Sequence, residues 1–340
     1  MFVDVDTGVD DAMALVYLFG SDDADVVAIA STAGNVPVQQ VCRNNLGLLE
    51  LCGMDIPVSK GSEQPITAPL RTAEDTHGPE GIGYARLPAT DRKLTTYDAA
   101  EAWVLAAQAY PGELIGVATG PLTNLALALR REPALPTLLR RLVIMGGAFD
   151  YRGNTTPVAE WNISVDPEAA AEVFAAWGTA WGSSAPTHLP IVLGLNLTEN
   201  IAMTPALLNR LATTAESSSI PMSVLDDRGT RSVASNPLIA VLEDAMRFYF
   251  EFHFDQDEGY LAHLHDPLAA AVALDPDLVT CRPTTIDVEL TGTLTRGMTI
   301  ADWSNRWGRE PNALIGVDVD PKVFFDRFIA RVGAFARRLS

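Results

Sequence analysis

The chain has 340 residues, 48% hydrophobic and 20% charged, so it is long enough to bury a substantial core. Its formal net charge of -19 disfavours nucleic acid and anionic membrane surfaces as partners. The start of the chain does not resemble a leader peptide, no apolar run approaches a membrane span, and the three cysteines (Cys42, Cys52 and Cys281) lack zinc-ligand spacing. These features predict a cytoplasmic protein with reduced thiols and no membrane partner.

The first predicted element is a short apolar strand at residues 2–5 that leads into an acidic turn. Gly8 permits a tight turn, after which an apolar helix begins near Ala12. Capping explains one carboxylate at a helix start, but four like charges this close call for a cation. Such oxygen-only ligands suit Mg²⁺ or Ca²⁺ better than zinc. The four carboxylates belong to Asp4, Asp6, Asp10 and Asp11.

Short apolar runs then alternate with helical patterns. The runs, typical of strands buried on both faces, lie at 26–30, 114–118, 142–145 and 191–195. The predicted helices lie at 38–52, 99–109, 124–131 and 167–177, the last with Asp166 as N-cap and Pro167 in its first turn. This alternation predicts an α/β fold, with one large domain over 1–340 and an open, mostly parallel, Rossmann-like sheet flanked by helices.

The C-terminal part follows a different pattern. We expect a long helix with an aromatic stripe at 237–254, a small hairpin that pairs 286–290 with 298–301, and a terminal helix at 321–338. Residues 178–190 are rich in Gly, Ser, Ala and Pro and predict a surface loop before a strand.

Polar segments follow several of the predicted strands. In open α/β sheets, ligands bind beyond the carboxyl ends of the strands, so these segments are candidate site loops. They are the acidic turn, Ala33-Gly34-Asn35, residues 118–124 and Met145-Gly146-Gly147. His265-Asp266-Pro267 joins them as a predicted helix start, with Asp266 as N-cap.

In these segments the chain resembles the inosine-uridine nucleoside hydrolase family, whose signature is Asp-x-Asp-Pro-Gly-x-Asp-Asp-Ala. Further blocks follow in the family's order over nearly the whole chain. They are 33–35, His77-Gly78 with 81–83, 119–124, 145–147, Asn154 with 157–162, 166–169, 265–267 and 297–299. The ordered set is far more specific than the first block alone.

The resemblance implies hydrolysis of the N-glycosidic bond of a small-molecule ribonucleoside to ribose and free base. It implies one Ca²⁺, held by Asp6, Asp11, the backbone carbonyl of Thr119 and Asp266, and a metal-activated water with Asp6 as general base. His265 would protonate or hydrogen-bond the departing base. Family members are commonly homodimers or homotetramers.

The resemblance also implies roles toward the substrate. The 2′-hydroxyl would contact Asp10, the 3′-hydroxyl Asn162, and the 5′-hydroxyl Asn154 and Glu160. Asn35 would position the water, and Met145 would line the sugar pocket. His77 would close over the base or be a mobile surface residue, Trp161 would stack on the base or pack in the core, and His263 is predicted to face solvent without a role.

The chain departs from the family pattern at three places. Thr7 replaces the usual Pro of the signature, and Glu80 stands where Asp is usual. Near Phe250, Phe254 and Glu258 the long helix offers apolar rings and an acid, where some relatives offer Tyr and Arg to the base. The base preference therefore stays open.

Two other functions compete with this interpretation. A haloacid-dehalogenase-like, Mg²⁺-dependent phosphatase would use Asp4 as nucleophile and Asp6 as acid and base, but lysines are few and Gly-Asp-x-x-x-Asp is absent from the sequence. A non-catalytic ribose- or calcium-binding protein would bind nucleosides without turnover. Binding alone would not require a water-activating base, Asp6, next to an acid, His265.

Overall fold

A computed structural model describes residues 1–181 and 188–339. The predicted surface loop at 178–190 is wrong at its start, because a helix continues to Ala180. Residues 182–187 of that loop lie outside the described ranges.

Twelve strands occur in the described ranges. In chain order they are β1 (Phe2–Val5), β2 (Ala28–Ser31), β3 (Val58–Lys60), β4 (Ile115–Ala118), β5 (Arg141–Met145), β6 (Ile191–Leu193), β7 (Ala202–Met203), β8 (Ala262–His263), β9 (Val279–Thr284), β10 (Ile286–Val288), β11 (Thr299–Ala301) and β12 (Ala313–Val319).

The same ranges contain thirteen α-helices. They are α1 (Val9–Phe19), α2 (Val38–Cys52), α3 (Glu74–His77), α4 (Ala99–Ala109), α5 (Thr123–Arg131), α6 (Leu135–Leu138), α7 (Trp161–Val165), α8 (Pro167–Ala180), α9 (Leu195–Thr198), α10 (Pro205–Thr214), α11 (Pro237–Asp255), α12 (His265–Leu274) and α13 (Pro321–Arg338). None of these helices is both long and apolar enough to cross a bilayer.

Eight of the strands form the central sheet, in the order β3-β2-β1-β4-β5-β6-β12-β9. All neighbours pair in parallel except β12 and β9, which are antiparallel. The predicted α/β fold with a mostly parallel sheet is therefore confirmed. The predicted hairpin is also present, as β10 paired antiparallel with β11.

Helices cover both faces of this sheet. On one face, α1, α12 and α13 bury an apolar cluster that includes Met13 and Phe328. On the other face, α4, α5 and α8 bury a second cluster around Trp103 and Trp177. Because successive side chains of a strand point to opposite faces, Phe2 joins the second cluster and Val3 the first.

The fold places the candidate loops at one edge of the sheet. Strand β1 lies between β2, which follows it in the chain, and β4, which comes much later. The connection after β1 runs to β2 on one side, whereas the connection after β4 runs to β5 on the other, which makes a crevice between β1 and β4 at their carboxyl ends. The loops that begin at Asp6, Thr32 and Thr119 meet there.

Candidate active site

The four aspartates of the N-terminal turn divide into two groups. Asp4 lies within β1, and its carboxylate oxygens accept hydrogen bonds from Trp103 Nε1 at 2.7 Å and Asn124 Nδ2 at 2.9 Å. Burial raises the pKa of Asp4 to about 6, although these two donors oppose the shift. The expectation that all four carboxylates face a cation is therefore wrong for Asp4, whose oxygens are occupied in the core. The other three lie at the crevice.

Two helices begin at this crevice with carboxylates in their first turns. In α1, Asp11 Oδ2 accepts from the backbone N–H of Gly8 at 2.8 Å, and Asp11 Oδ1 accepts from Thr119 Oγ1 at 2.6 Å. In α12, the corresponding acid is Asp266. Oxygens of Asp10, Asp11 and Asp266 lie within 4.8 Å of one another. The positive ends of both helix dipoles therefore face one cluster of acids.

Asp6 extends this cluster from the end of β1. Its Oδ2 accepts from the backbone N–H of Asn35 at 2.8 Å, whereas its Oδ1 is buried and accepts from no group in the described part of the chain. A Cβ on Gly34 would lie 2.1 Å from Asp6 Oδ2, and one on Gly120 would lie 2.9 Å from Oδ1. The loops after β2 and β4 thus need glycine to approach this carboxylate.

Burial raises the pKa of each acid in the cluster, and repulsion between carboxylates adds to the shift for Asp6, Asp10 and Asp266. The pKa of Asp10 rises to about 7, through burial first and the charge of Asp11 second. Burial is also the largest cause for Asp6 and Asp266, whose pKa values rise well above the ordinary range, and for the raised pKa of Asp11. Buried carboxylates with an unsatisfied oxygen fit a hard divalent cation, which would offset their charge.

A cavity of about 470 Å³ opens above the acids, a size typical of small-molecule sites. Asp6 and Asp11 lie fully buried beneath it. The remaining predicted site residues all line it, namely Asp10, Asn35, His77, Thr119, Met145, Asn154, Glu160, Trp161, Asn162, His265 and Asp266. The structure thus brings the whole predicted set together.

Glu160 lines the same cavity as the N-cap of α7. Its Oε1 accepts from the backbone N–H of Asn162 at 2.7 Å, and its Oε2 accepts from those of Ile163 at 2.9 Å and Gly147 at 3.0 Å. Glu160 is buried, so it is not a solvated surface acid. These three bonds fix the carboxylate where it borders the cavity.

Two other residues of this segment, Asn154 and Trp161, also lie at the cavity wall. Asn154 Oδ1 accepts from the backbone N–H of Trp161 at 2.9 Å. The indole of Trp161 is half-buried at the cavity wall, with the guanidinium carbon of Arg71 5.5 Å from its ring centroid. The alternative that Trp161 packs in the core is therefore wrong.

His265 is the first residue of α12, and its Nδ1 lies 2.7 Å from Thr198 Oγ1. Burial, and then the neighbouring His263, lower the pKa of His265 well below its ordinary value, so the imidazole is neutral near pH 7. The predicted N-cap role of Asp266 is wrong. The helix begins two residues earlier, with Leu264 as N-cap, and the Asp266 carboxylate joins the acid cluster instead.

His77 ends the short helix α3 and is buried, so the alternative of a mobile surface residue is wrong. Its Nδ1 accepts from the backbone N–H of Val9 at 3.1 Å, and its ring centroid lies 5.3 Å from that of Tyr249. Burial is the largest cause that lowers the pKa of His77 to about 3. A neutral ring therefore forms a fixed part of the cavity wall.

Sequence reasoning missed the face that α11 turns toward the cavity. The helix lines it with Tyr249, Phe252, His253 and Gln256, whose spacing is that of one helix face. Phe250 is instead fully buried in the core and Phe254 is 51% exposed, so the expectation that these rings stand at the base subsite is wrong. His263 was expected to face solvent, yet it lines the cavity together with Glu258.

The chain was compared with known protein families, curated proteins and solved structures. Residues 1–326 match the model of the inosine-uridine preferring nucleoside hydrolase family. The pyrimidine-specific ribonucleoside hydrolase RihA of Citrobacter koseri is 35% identical over 98% of this chain and 97% of its own length. That of Salmonella paratyphi C is 36% identical over 99% of both chains.

Solved structures agree with these matches. A purine-preferring ribonucleoside hydrolase from Gardnerella vaginalis superimposes with a TM-score of 0.85, 29% identity and 99% coverage of both chains. A plant nucleoside hydrolase superimposes with a TM-score of 0.84, 31% identity and 98% coverage of both. The chain therefore belongs to the inosine-uridine preferring nucleoside hydrolase family and is an enzyme that hydrolyses ribonucleosides at the N-glycosidic bond.

Proposed function

We propose that this enzyme hydrolyses pyrimidine ribonucleosides to ribose and free base in a Ca²⁺-dependent reaction. The observation that carries the proposal is the buried cluster of Asp6, Asp10, Asp11 and Asp266 beneath a cavity that His265 also lines. The pyrimidine preference is supported by the curated relatives at 35% and 36% identity, which are named pyrimidine-specific.

The proposed ion ligands are carboxylate oxygens of Asp6, Asp11 and Asp266 and the backbone carbonyl oxygen of Thr119. All are oxygens, as Ca²⁺ prefers, and they leave several of its six to eight coordination positions free. A bound Ca²⁺ would lower the pKa of a water and bind the 2′- and 3′-hydroxyls of the ribose.

Asp6 is the proposed general base. Its Oδ1, which has no hydrogen-bond partner among the described residues, can accept the proton of the water. Asn35, whose backbone N–H holds the other oxygen of Asp6, would position the water. A well-placed base contributes about 10² to 10⁴-fold, so ribose binding and electrostatics must supply the rest.

The hydrogen bonds already present leave atoms free for two of the proposed sugar contacts. Asn162 Nδ2 donates to the carbonyls of Thr119 at 2.6 Å and Met145 at 3.3 Å, which leaves Asn162 Oδ1 to accept from the 3′-hydroxyl. Glu160 accepts three backbone N–H groups and keeps about one lone-pair site for the 5′-hydroxyl.

Two further sugar contacts complete this arrangement. Asn154 Oδ1 is occupied, so its Nδ2 would donate to the 5′-oxygen. Asp10 would accept from the 2′-hydroxyl, and Met145 would pack against the ribose ring.

His265 is the proposed group for the leaving base. With Thr198 Oγ1 as the donor to its Nδ1, the neutral imidazole would carry its proton on Nε2 and offer it to the base as a hydrogen bond. His77 and Trp161 would flank the base. The long-helix residue Tyr249 is a further candidate for this subsite.

We also infer that the active form is a homodimer or homotetramer in the cytoplasm. Four large apolar side chains, Ile220, Val224, Leu225 and Val233, are 71%, 46%, 90% and 63% exposed within one segment, which supports a self-association surface. Light scattering coupled to gel filtration measures the mass, and a monomer at micromolar concentration would refute this inference.

The decisive experiment is a reducing-sugar assay on uridine, cytidine, inosine and adenosine, with and without chelator, for the wild type and Asp6→Asn. We expect pyrimidine nucleosides to react faster, chelator to abolish ribose release, and Ca²⁺ to restore it better than Mg²⁺. Asp6→Asn should lose about 10² to 10⁴-fold. Ribose release that survives chelation would overturn the metal dependence, and binding without turnover would favour the non-catalytic alternative.

A further inference from the structure

Two groups of metal-ligating side chains occur among the described residues, and only one is the aspartate cluster. The second consists of His253, Glu258 and His263, here called the His-Glu-His cluster. One ligand atom of each lies within 4.8 Å of the other two. Glu258 Oε2 lies 3.9 Å from His253 Nε2 and 3.7 Å from His263 Nε2.

These three atoms converge without a hydrogen bond between them. Both distances to the carboxylate exceed the 2.7 to 3.2 Å of an ordinary N–H···O bond. Burial is the largest cause that lowers the pKa of His253, and it lowers the pKa of His263 to about 4. Both rings are therefore neutral near pH 7, so an ion pair does not account for their position around the carboxylate.

The surroundings orient two of the three groups as metal ligands are oriented elsewhere. His253 Nδ1 lies 2.8 Å from the backbone carbonyl oxygen of Tyr249, which can only accept, so the proton lies on Nδ1 and the lone pair on Nε2. Arg152 holds the other carboxylate oxygen of Glu258 at 3.0 Å and also pairs with Glu199 at 2.9 Å. Oε2 of Glu258 is thereby left to face the imidazoles.

We propose that the His-Glu-His cluster is a second metal site, specific for a transition-metal dication of the Zn²⁺ class and separate from the aspartate cluster. Two imidazole nitrogens and one carboxylate oxygen are the ligand set of zinc sites that keep an open position. Tetrahedral bonds of about 2.0 to 2.1 Å place ligand atoms about 3.3 to 3.4 Å apart, so the cluster must contract by only a few tenths of an ångström at the two measured pairs.

The two sites differ in chemistry as well as in position. The aspartate cluster offers only oxygens and fits a hard cation, whereas imidazole nitrogens select zinc, cobalt or nickel over calcium. All three members of the His-Glu-His cluster line the cavity that His265 also lines. Metal binding there requires no nucleoside, so the site can be tested independently of the proposed reaction.

The test is a titration of the full-length protein with Co²⁺ in excess Ca²⁺, which keeps the aspartate cluster filled. Four-coordinate cobalt gives intense visible absorption, whereas six-coordinate cobalt gives weak bands. We expect one strongly absorbing Co²⁺ per chain, displaced by equimolar Zn²⁺.

Three variants test the ligands. His253→Gln, His263→Gln and Glu258→Gln should each weaken Co²⁺ binding by at least about tenfold. His188→Gln, which changes a histidine stacked on Trp181 outside the cavity, is the matched control and should bind like the wild type.

Thermal unfolding provides a second readout. Zn²⁺ at 100 times its dissociation constant should raise the unfolding temperature of the wild type and the His188→Gln control, but not that of the three cluster variants. If one cluster variant fails to fold, the other two carry the comparison. Weak octahedral spectra, or wild-type affinity in His253→Gln and His263→Gln, would overturn the proposal.

Discussion

The side-chain amide of Asn162 donates a 2.6 Å hydrogen bond to the backbone carbonyl oxygen of Thr119, and so joins helix α7 to the end of strand β4. That carbonyl is a proposed Ca²⁺ ligand, and the other amide atom of Asn162 is the proposed contact of the 3′-hydroxyl. One side chain therefore links the ion site to the sugar site.

Asn162→Asp should break this link with little change in volume. A carboxylate would face the Thr119 carbonyl oxygen, and repulsion would displace it, so we expect kcat/KM for uridine to fall about 10²-fold or more. The Ca²⁺ concentration for half-maximal activity should rise as well. Asn305→Asp, at an exposed turn outside the cavity, is the control. Unchanged kinetics in Asn162→Asp would contradict the proposed role of Asn162.

Asp4→Asn tests the phosphatase alternative. Trp103 Nε1 and Asn124 Nδ2 donate to different oxygens of Asp4, and an amide keeps only one of these oxygens. One of the two buried hydrogen bonds is therefore lost, and stability should fall by about 1 to 3 kcal/mol. Ribose release at temperatures well below unfolding should persist, because Asp4 does not border the cavity. Denaturant unfolding and the reducing-sugar assay measure the two effects. Loss of a phosphatase activity in this variant would support the rival mechanism.

His265→Ala tests the assistance to the leaving base. For uridine, we expect kcat/KM to fall about 10² to 10⁴-fold, because the departing base loses its hydrogen-bond donor. For 4-nitrophenyl riboside, whose phenolate leaves without a proton, the loss should be much smaller. Equal losses on both substrates would assign His265 to positioning the acid cluster instead.

The cysteines should react with alkylating reagents only at high pH. Burial raises the pKa of Cys42, that of Cys52 to about 12 and that of Cys281 to about 11. Because the thiolate is the nucleophile and a raised pKa delays its formation, labelling should be slow at pH 8 and increase as the pH rises. Cys281, which is only half-buried, should react first. Mass spectrometry identifies the labelled cysteines, with denatured protein as the reference. Stoichiometric labelling of the native protein at pH 8 would contradict this expectation.

Local sequence signals predicted the helices most accurately. The bounds of α2, α4 and α13 match the expectation to the residue, and Asp166 caps α8 through the N–H of Ala169 as expected. The observed limits of the predicted strands differ from the prediction by one or two residues, and Leu195 begins α9 rather than ending β6. The edge strand β9 was missed because several of its residues face solvent, so it lacks the apolar run that marks a buried strand.

Local reasoning placed Asp6, Asp10 and Asp11 at a strand end and a helix start, whereas Asp266 was predicted to join these acids only from the family resemblance. The face of α11 could not be read from the sequence, since the helix is apolar on several sides and its rotation depends on packing against α1 and α3. The 3–4 spacing of Tyr249, Phe252, His253 and Gln256 was visible, but nothing local indicated which stripe would face the cavity. The His-Glu-His cluster depends on that rotation and was therefore missed.

The packing of α1 against α12 has a consequence for assembly of the molecule. Asp11 and Asp266 come from distant parts of the sequence, and docking these two helices forces like charges into a space with little water. A polypeptide that collapses in the presence of a dication would escape this electrostatic barrier, whereas one deprived of it would have to take up protons first. An ion bound between these acids would thus also favour closure of the hydrophobic core during folding.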